Sequence, residues 1–115
     1  MKRKGWSKYG AKKSHCSHGH THDSKREAER CDYLHVRQTA GEISRLETRV
    51  QFRFAIDGRP VKLKNGHVAG VKVDFQYQEG NRTIVEDSKG FVVRDWPLRR
   101  AIFCALHPDI ELREV

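Results

Sequence analysis

Hydrophobic and polar positions alternate most regularly from Val71 to Gly90, in the stretch VKVDFQYQEGNRTIVEDSKG. Val71, Val73, Phe75 and Tyr77 alternate with Lys72, Asp74 and Gln76. After a break, Thr83, Val85, Asp87 and Lys89 alternate with Ile84, Glu86 and Ser88. A period of two sustained over this length predicts two half-buried strands. Gly80-Asn81 between them is a two-residue hairpin signal. With those residues in the loop, Glu79 pairs with Arg82, and counting back sets Asp74 opposite Asp87.

The pattern elsewhere changes to a helical period. Ala28, Cys31 and Leu34, extended by His35 and Gln38, form one stripe, with Gly41 as its stop. Asp23-Ser24 opens this helix, and Ser24 with Glu27 three residues on makes a capping box. Leu46 to Ile56 is the strongest strand, with Val50, Phe52, Phe54 and Ile56 alternating with Arg49, Gln51 and Arg53. Asp57-Gly58 turns it into a short return strand, Arg59 to Lys64, with Pro60 near its start. Asn65-Gly66 then leads into the hairpin. Beyond it, Phe91 to Arg94 form a linker and Asp95 is the expected N-cap, with Pro97 in the first turn. Leu98, Ala101, Ile102, Ala105 and Leu106 give a second helix an apolar face. Pro108 ends that helix, and Ile110 to Val115 is the last strand. This order predicts an α/β fold, a mixed central β-sheet flanked by helices.

Charge divides the chain. Its 115 residues suffice for one domain, and its net charge is +8. Residues 1–22 hold six Lys and Arg and no acid, whereas residues 23–115 hold seventeen against fifteen. The expected organisation is therefore a basic, His-rich arm over 1–22 and a single domain over 23–115. Within the arm, Lys2, Arg3, Lys4, Lys8, Lys12 and Lys13 surround Trp6 and Tyr9, a composition suited to phosphate contact and base stacking. The plain alternative is a solvated terminal tail. No apolar run is long enough for a membrane span or a signal peptide, and three widely spaced cysteines fit reduced thiols in a cytoplasmic protein.

Two clusters carry candidate chemistry. Asp74 and Asp87, opposed across a hairpin, repel each other unless a cation sits between them. Lys89 projects to the same side, two residues past Asp87. Mg²⁺ and Mn²⁺ sites take one or two carboxylates together with phosphate oxygens and water, and a lysine beside them can orient a water. The plain alternative is a surface hairpin of mixed charge. His15, Cys16, His18, His20 and His22 are candidate zinc ligands by type. Their spacing matches no standard zinc module, and the alternating histidines also suit a short strand with a turn near Gly19. Arg94, Arg99 and Arg100 gather at the start of the second helix, as surface charge or as phosphate contacts.

Taken together, these residues resemble a family. Asp74, a spacer and Asp87-Ser88-Lys89 follow the PD-(D/E)XK nuclease pattern, without its proline. Lys8-Tyr9-Gly10, Asp23-Ser24-Lys25-x-Glu27-Ala28, Ala40-Gly41-Glu42-Ile43-Ser44-x-Leu46-Glu47, Val73-Asp74-Phe75, Val85-Glu86-Asp87-x-Lys89-Gly90 and Arg113-Glu114-Val115 extend the likeness over residues 8–115. The chain resembles a domain-of-unknown-function family of small phage and prophage proteins, grouped with the PD-(D/E)XK endonucleases. The resemblance implies a restriction-endonuclease-like core and a Mg²⁺- or Mn²⁺-dependent DNA endonuclease acting in the bacterial host cytoplasm, with structure-selective junction resolving one option and branched junctions, flaps, nicks and plain duplex all open as substrates. It implies Asp74 and Asp87 as metal ligands, Lys89 as the water-orienting residue, Glu27 as a further site carboxylate, and Arg99 near the phosphate; on that reading the Ser88 carbonyl completes the metal site and Arg100 joins Arg99 as a phosphate contact. Glu27 read without the resemblance is simply the helix cap. Ser88 departs from the apolar residue usual between Asp87 and Lys89, and His22 from the apolar residue usual before Asp-Ser. The alternatives are a non-catalytic DNA-binding accessory protein with a nuclease fold and a small His/Cys zinc-binding protein. Junction resolution needs a homodimer, for which Trp96 and the edge of the last strand are candidate faces.

Overall fold

The computed structural model describes residues 14–16, 21–22, 25–88 and 94–115, with the backbone alone of residues 14, 21 and 22. The arm Met1–Lys13, the cap residues Asp23 and Ser24, the histidines His18 and His20, and residues 89–93 with Lys89 lie outside the described residues. The elements in chain order are β1 (Ser14–His15), β2 (Thr21–His22), α1 (Lys25–Thr39), β3 (Ser44–Arg53), β4 (Ala55–Ile56), β5 (Arg59–Pro60), β6 (Gly70–Glu79), β7 (Arg82–Asp87), α2 (Trp96–Leu106) and β8 (Ile110–Glu114). They divide into two compact units, residues 1–42 and 43–115.

In the first unit, β1 and β2 pair antiparallel, and α1 packs on both. Ala28, Cys31 and Leu34 are buried along one side of α1, the stripe that the helical period predicts. The helix stops as Gly41 predicts. Gly41 takes φ +82°, its N–H donates to Gln38, and the N–H of Glu42 donates to Arg37. This 6→1 and 5→2 pair is a Schellman cap, which needs a left-handed residue at Gly41.

The second unit is built on a four-stranded mixed sheet in the order β3-β6-β7-β8. β3 with β6 and β6 with β7 are antiparallel; β7 and β8 are parallel and joined through α2. The β6–β7 register runs from Glu79 opposite Arg82 to Phe75 opposite Glu86, as the two-residue loop requires. Gly80 supplies a positive φ of 64° at its first position. The Asp57-Gly58 turn also forms where expected, with both residues at positive φ between β4 and β5. The core gathers Phe54, Ala69, Val71, Val73, Val85, Trp96 and Phe103.

Four expectations are corrected. The return strand over Arg59–Lys64 shrinks to Arg59–Pro60 and an isolated Lys62–Val68 bridge, because Val61 instead exchanges backbone bonds with Phe54 and Ala69. β7 is not half-buried: Ile84 through Asp87 are all buried, on both faces of an interior strand of the sheet. Asp95 stands at the N-cap of α2 without capping; its carboxylate accepts from Arg99 Nε at 2.8 Å. That bond holds the Asp95 carboxyl below its ordinary pKa. Finally, α2 buries Trp96 and Phe103 most deeply; of the expected face, Ile102 and Leu106 pack half-buried against the core while Leu98, Ala101 and Ala105 are exposed, Leu98 at 64%. Two aromatics two turns apart offer more area to the sheet than leucine and alanine, and Phe103 meets Phe52 edge-on with ring centres 4.9 Å apart.

β3 and β6 approach so closely at Gly70 that a Cβ there would lie 2.1 Å from the Phe52 carbonyl oxygen and 3.0 Å from Arg53 Cα. Both obstacles are backbone and cannot swing aside. Gly70→Ala is therefore expected to lose about 1–3 kcal/mol, the range for overpacking. Thermal unfolding of the variant checks it, with a melting temperature several degrees below the parent.

Candidate functional site

The hairpin β6–β7 builds the site. Carried one residue past Phe75 and Glu86, its register opposes Asp74 and Asp87. Opposed residues share a face, so the two carboxylates project to the same side with Gln76 and Val85 behind them. Asp87 is 1% exposed and Asp74 is half-buried. The Ser88 N–H donates to Asp74 Oδ2 at 2.8 Å, fixing one carboxylate oxygen against the end of the neighbouring strand. On the other side, the carbonyl of Asp87 accepts from the Val115 N–H at 3.1 Å, in the ladder that pairs Asp87 with Glu114. The backbone under both acids is thus held from two strands. Lys89 lies outside the described residues.

Two carboxylates on adjacent strands are the oxygen set from which a hard divalent cation takes its protein ligands, the rest coming from phosphate and water. Among the described residues, no three or more His, Cys, Asp or Glu side chains are grouped to hold a metal ion by themselves. Glu27 is 7% exposed in the first turn of α1, within the 1–42 unit.

The remaining candidates are dispersed. Arg99 donates from Nε to Asp95 and from Nη1 to the Gly70 carbonyl, which braces the start of α2 against the start of β6. Arg100 donates to Glu114 Oε2 at 2.7 Å and thereby ties α2 to β8. Both arginines therefore already have partners within the fold. Of the histidine cluster, His15 is exposed and Cys16 buried; the side chains of His18, His20 and His22 lie outside the described residues.

Two features escaped the sequence reading. Glu86 is wholly buried and accepts a hydrogen bond from the Tyr77 hydroxyl. Its signal was Tyr77, which the two-residue loop sets diagonally across from Glu86 on the same face of the hairpin. In the first unit, the Cys31 thiol donates to Cys16 Sγ at 3.4 Å, and His35 Nδ1 lies 3.6 Å from Cys31 Sγ. Burial first, and then the bond to Cys16, raises the Cys31 pKa from 9.0 to about 12. A folded-state value above the unfolded one stabilises the fold below pH 9.0, and this contribution is lost as pH rises from there towards 12. Cys31 is therefore a protonated thiol at pH 8. Alkylation at that pH, followed by peptide mass mapping, is expected to label half-buried Cys104 well before Cys31, with the difference erased in denaturant.

The chain matches the family described as "Protein of unknown function (DUF1064)" over residues 6–115 and belongs to that family. No curated protein and no solved structure matches the chain. Among the described residues, no helix is long and apolar enough to cross a membrane.

Proposed function

We propose that this chain is a Mg²⁺- or Mn²⁺-dependent DNA endonuclease with a restriction-endonuclease-like core, at work in phage or prophage DNA metabolism. The observation that carries the reading is the β6–β7 register, which opposes Asp74 and Asp87 next to the Asp-Ser-Lys run. A mixed sheet with a helix-linked parallel strand is in keeping with the fold that the sequence resemblance implies.

In this mechanism Asp74 and Asp87 would hold the cation, with the Ser88 carbonyl as a further oxygen donor; Glu27 is carried over as a site carboxylate from the sequence resemblance alone. When bound, the cation supplies Lewis acidity that lowers the pKa of a water and offsets charge on the phosphate. Lys89 orients the attacking water and stabilises the negative charge that develops on the phosphate oxygens. The Ser88 N–H holds one oxygen of the Asp74 carboxylate in place before substrate arrives, which leaves less reorganisation to the reaction.

The test is cleavage of a panel of linear, nicked, flapped and four-way DNAs with Mg²⁺, Mn²⁺, Ca²⁺ or EDTA. Asp87→Asn is expected to lose at least about 10²-fold in rate, the scale for removing one preorganised charge-stabilising group. Its melting temperature in EDTA should stay level or rise, because one of two opposed like charges is gone. A variant that cuts at the parental rate defeats the reading.

Glu27→Gln separates the two roles open to Glu27. Glutamine serves a capping box as well as glutamate does. A site carboxylate is not replaced so easily. The expected outcome is a loss of cleavage by about two orders of magnitude with unchanged melting temperature. Near-parental cleavage would return Glu27 to the helix cap.

A further inference from the structure

The positive charge of the body is concentrated in one region. Residues 44–72 carry seven Lys and Arg against Glu47 and Asp57, a balance of +5; the rest of 23–115 carries ten against thirteen, a balance of −3. All seven of these cations are exposed. Elsewhere in the same unit four of the five arginines are drawn into ion pairs, Arg82 with Glu111, Arg99 with Asp95, Arg100 with Glu114, and Arg113 with Glu79 and Glu111, and among the described residues only Arg94 is not. Among the described residues, Arg53, Arg59, Lys62, Lys64 and Lys72 have no ion-pair partner.

The register places this charge beside the acidic pair. Thr48 opposes Phe75 and Val50 opposes Val73, so Arg49 lies across from Asp74. Gln51 opposes Lys72 and Arg53 opposes Gly70, so Arg49, Lys72 and Arg53 follow one another on the face that carries Asp74. Arg49 and Arg53 are about 14 Å apart along the strand at the usual rise. Past Arg53 the chain enters the exposed β4–β5 hairpin, and the Val61 N–H donates to the Phe54 carbonyl, which returns the exposed Lys62–Lys64 segment to the end of β3. Arg49 also sits at φ +55°, a left-handed conformation that costs an arginine of order 1 kcal/mol or more and that collects at functional sites.

We propose that this strip, from Arg49 and Lys72 through Arg53 to Lys62 and Lys64, is where the body of the protein docks the phosphate backbone of duplex DNA. The proposal rests on the nuclease reading for its choice of polyanion. The strip starts at the carboxylates that would hold the metal, so a strand lying along it passes over them. Arg53, Lys62, Lys64 and Lys72 give up no ion pair when phosphates arrive. An anionic bilayer fits less well, because the large apolar side chains exposed in this region are only Ile56 and Leu63, and surface binding to lipid needs an apolar face.

The test uses the full chain in EDTA, with a fluorescent random-sequence duplex and anisotropy measured across a KCl series. The triple variant Arg53→Gln/Lys62→Gln/Lys72→Gln, at exposed positions, is expected to bind at least tenfold more weakly at moderate salt. Its slope of log K against log[salt] should flatten by about 2.7, or 0.9 for each phosphate no longer neutralised. Arg82→Gln, outside the strip, should leave both quantities unchanged. Unchanged affinity and slope in a folded triple variant overturn the proposal, and so does tighter binding of the parent to phosphatidylserine vesicles than to DNA at the same salt. A pair variant, Lys62→Gln/Lys64→Gln, carries the same expectation at about 1.8 if the triple fails to fold. The two readings fail separately. A parent that binds DNA through the strip but cuts nothing with any metal removes the nuclease reading and keeps the surface. A triple variant that binds and cuts like the parent removes the surface and keeps the nuclease.

Discussion

The backbone ladder between β6 and β7 fixes three things together in residues 43–115. It sets which side chains of β6 enter the core, it opposes Asp74 and Asp87, and it makes β7 an interior strand once β8 joins it. A slip of one residue would turn Val71, Val73, Phe75 and Tyr77 to the other face and separate the two acids at the same stroke. The glycine turn at Gly80 and the packed apolar row therefore protect the chemistry as well as the core. The Tyr77–Glu86 hydrogen bond adds to this on the opposite face, since it joins side chains that only this register brings within reach.

Around that ladder, charge is used in two ways. On α2 and β8 it serves as bracing: Arg99 reaches back to Gly70, and Arg100 reaches Glu114. These are exposed or half-exposed pairs, each worth little to stability alone. Their effect is to settle where α2 starts and how it lies along the parallel crossover. At the end of β3 and along the segment leading into β6, Arg53, Lys62, Lys64 and Lys72 stand in water without such pairs. The same residue types thus serve the fold on one side and are left exposed on the other.

What the sequence made legible was local. Gly41, Asp57-Gly58 and Gly80 each mark a backbone conformation that few other residues adopt, and each sits in the turn or cap it announces. The Asp74–Asp87 opposition follows from counting back from a two-residue loop. What stayed hidden depends on neighbours distant in sequence. The apolar period of α2 placed Ile102 and Leu106 at the core but not Leu98, Ala101 or Ala105, and full burial went to Trp96 and Phe103 because the sheet rewards area. Asp95 looks like a cap until Arg99, one turn on, takes its carboxylate. Glu86 reads as the polar half of an alternation, whereas the fold buries it against the Tyr77 hydroxyl on the same face. Cys16 belonged to a histidine cluster by sequence, whereas the fold gives it to Cys31 on α1.

The two acids are not equivalent. Asp74 has a structural role, since its Oδ2 accepts the Ser88 N–H where β7 ends and the ladder has run out. Removing that carboxylate would release the segment leading to Lys89 along with any ligand, so lost activity there would not distinguish folding from chemistry. Asp87 is held through its backbone by Val115 and by the β8 ladder, which a change of side chain leaves in place. An amide at position 87 keeps the shape and removes the charge. The chemical role of the pair is therefore best read at Asp87, and its architectural role at Asp74.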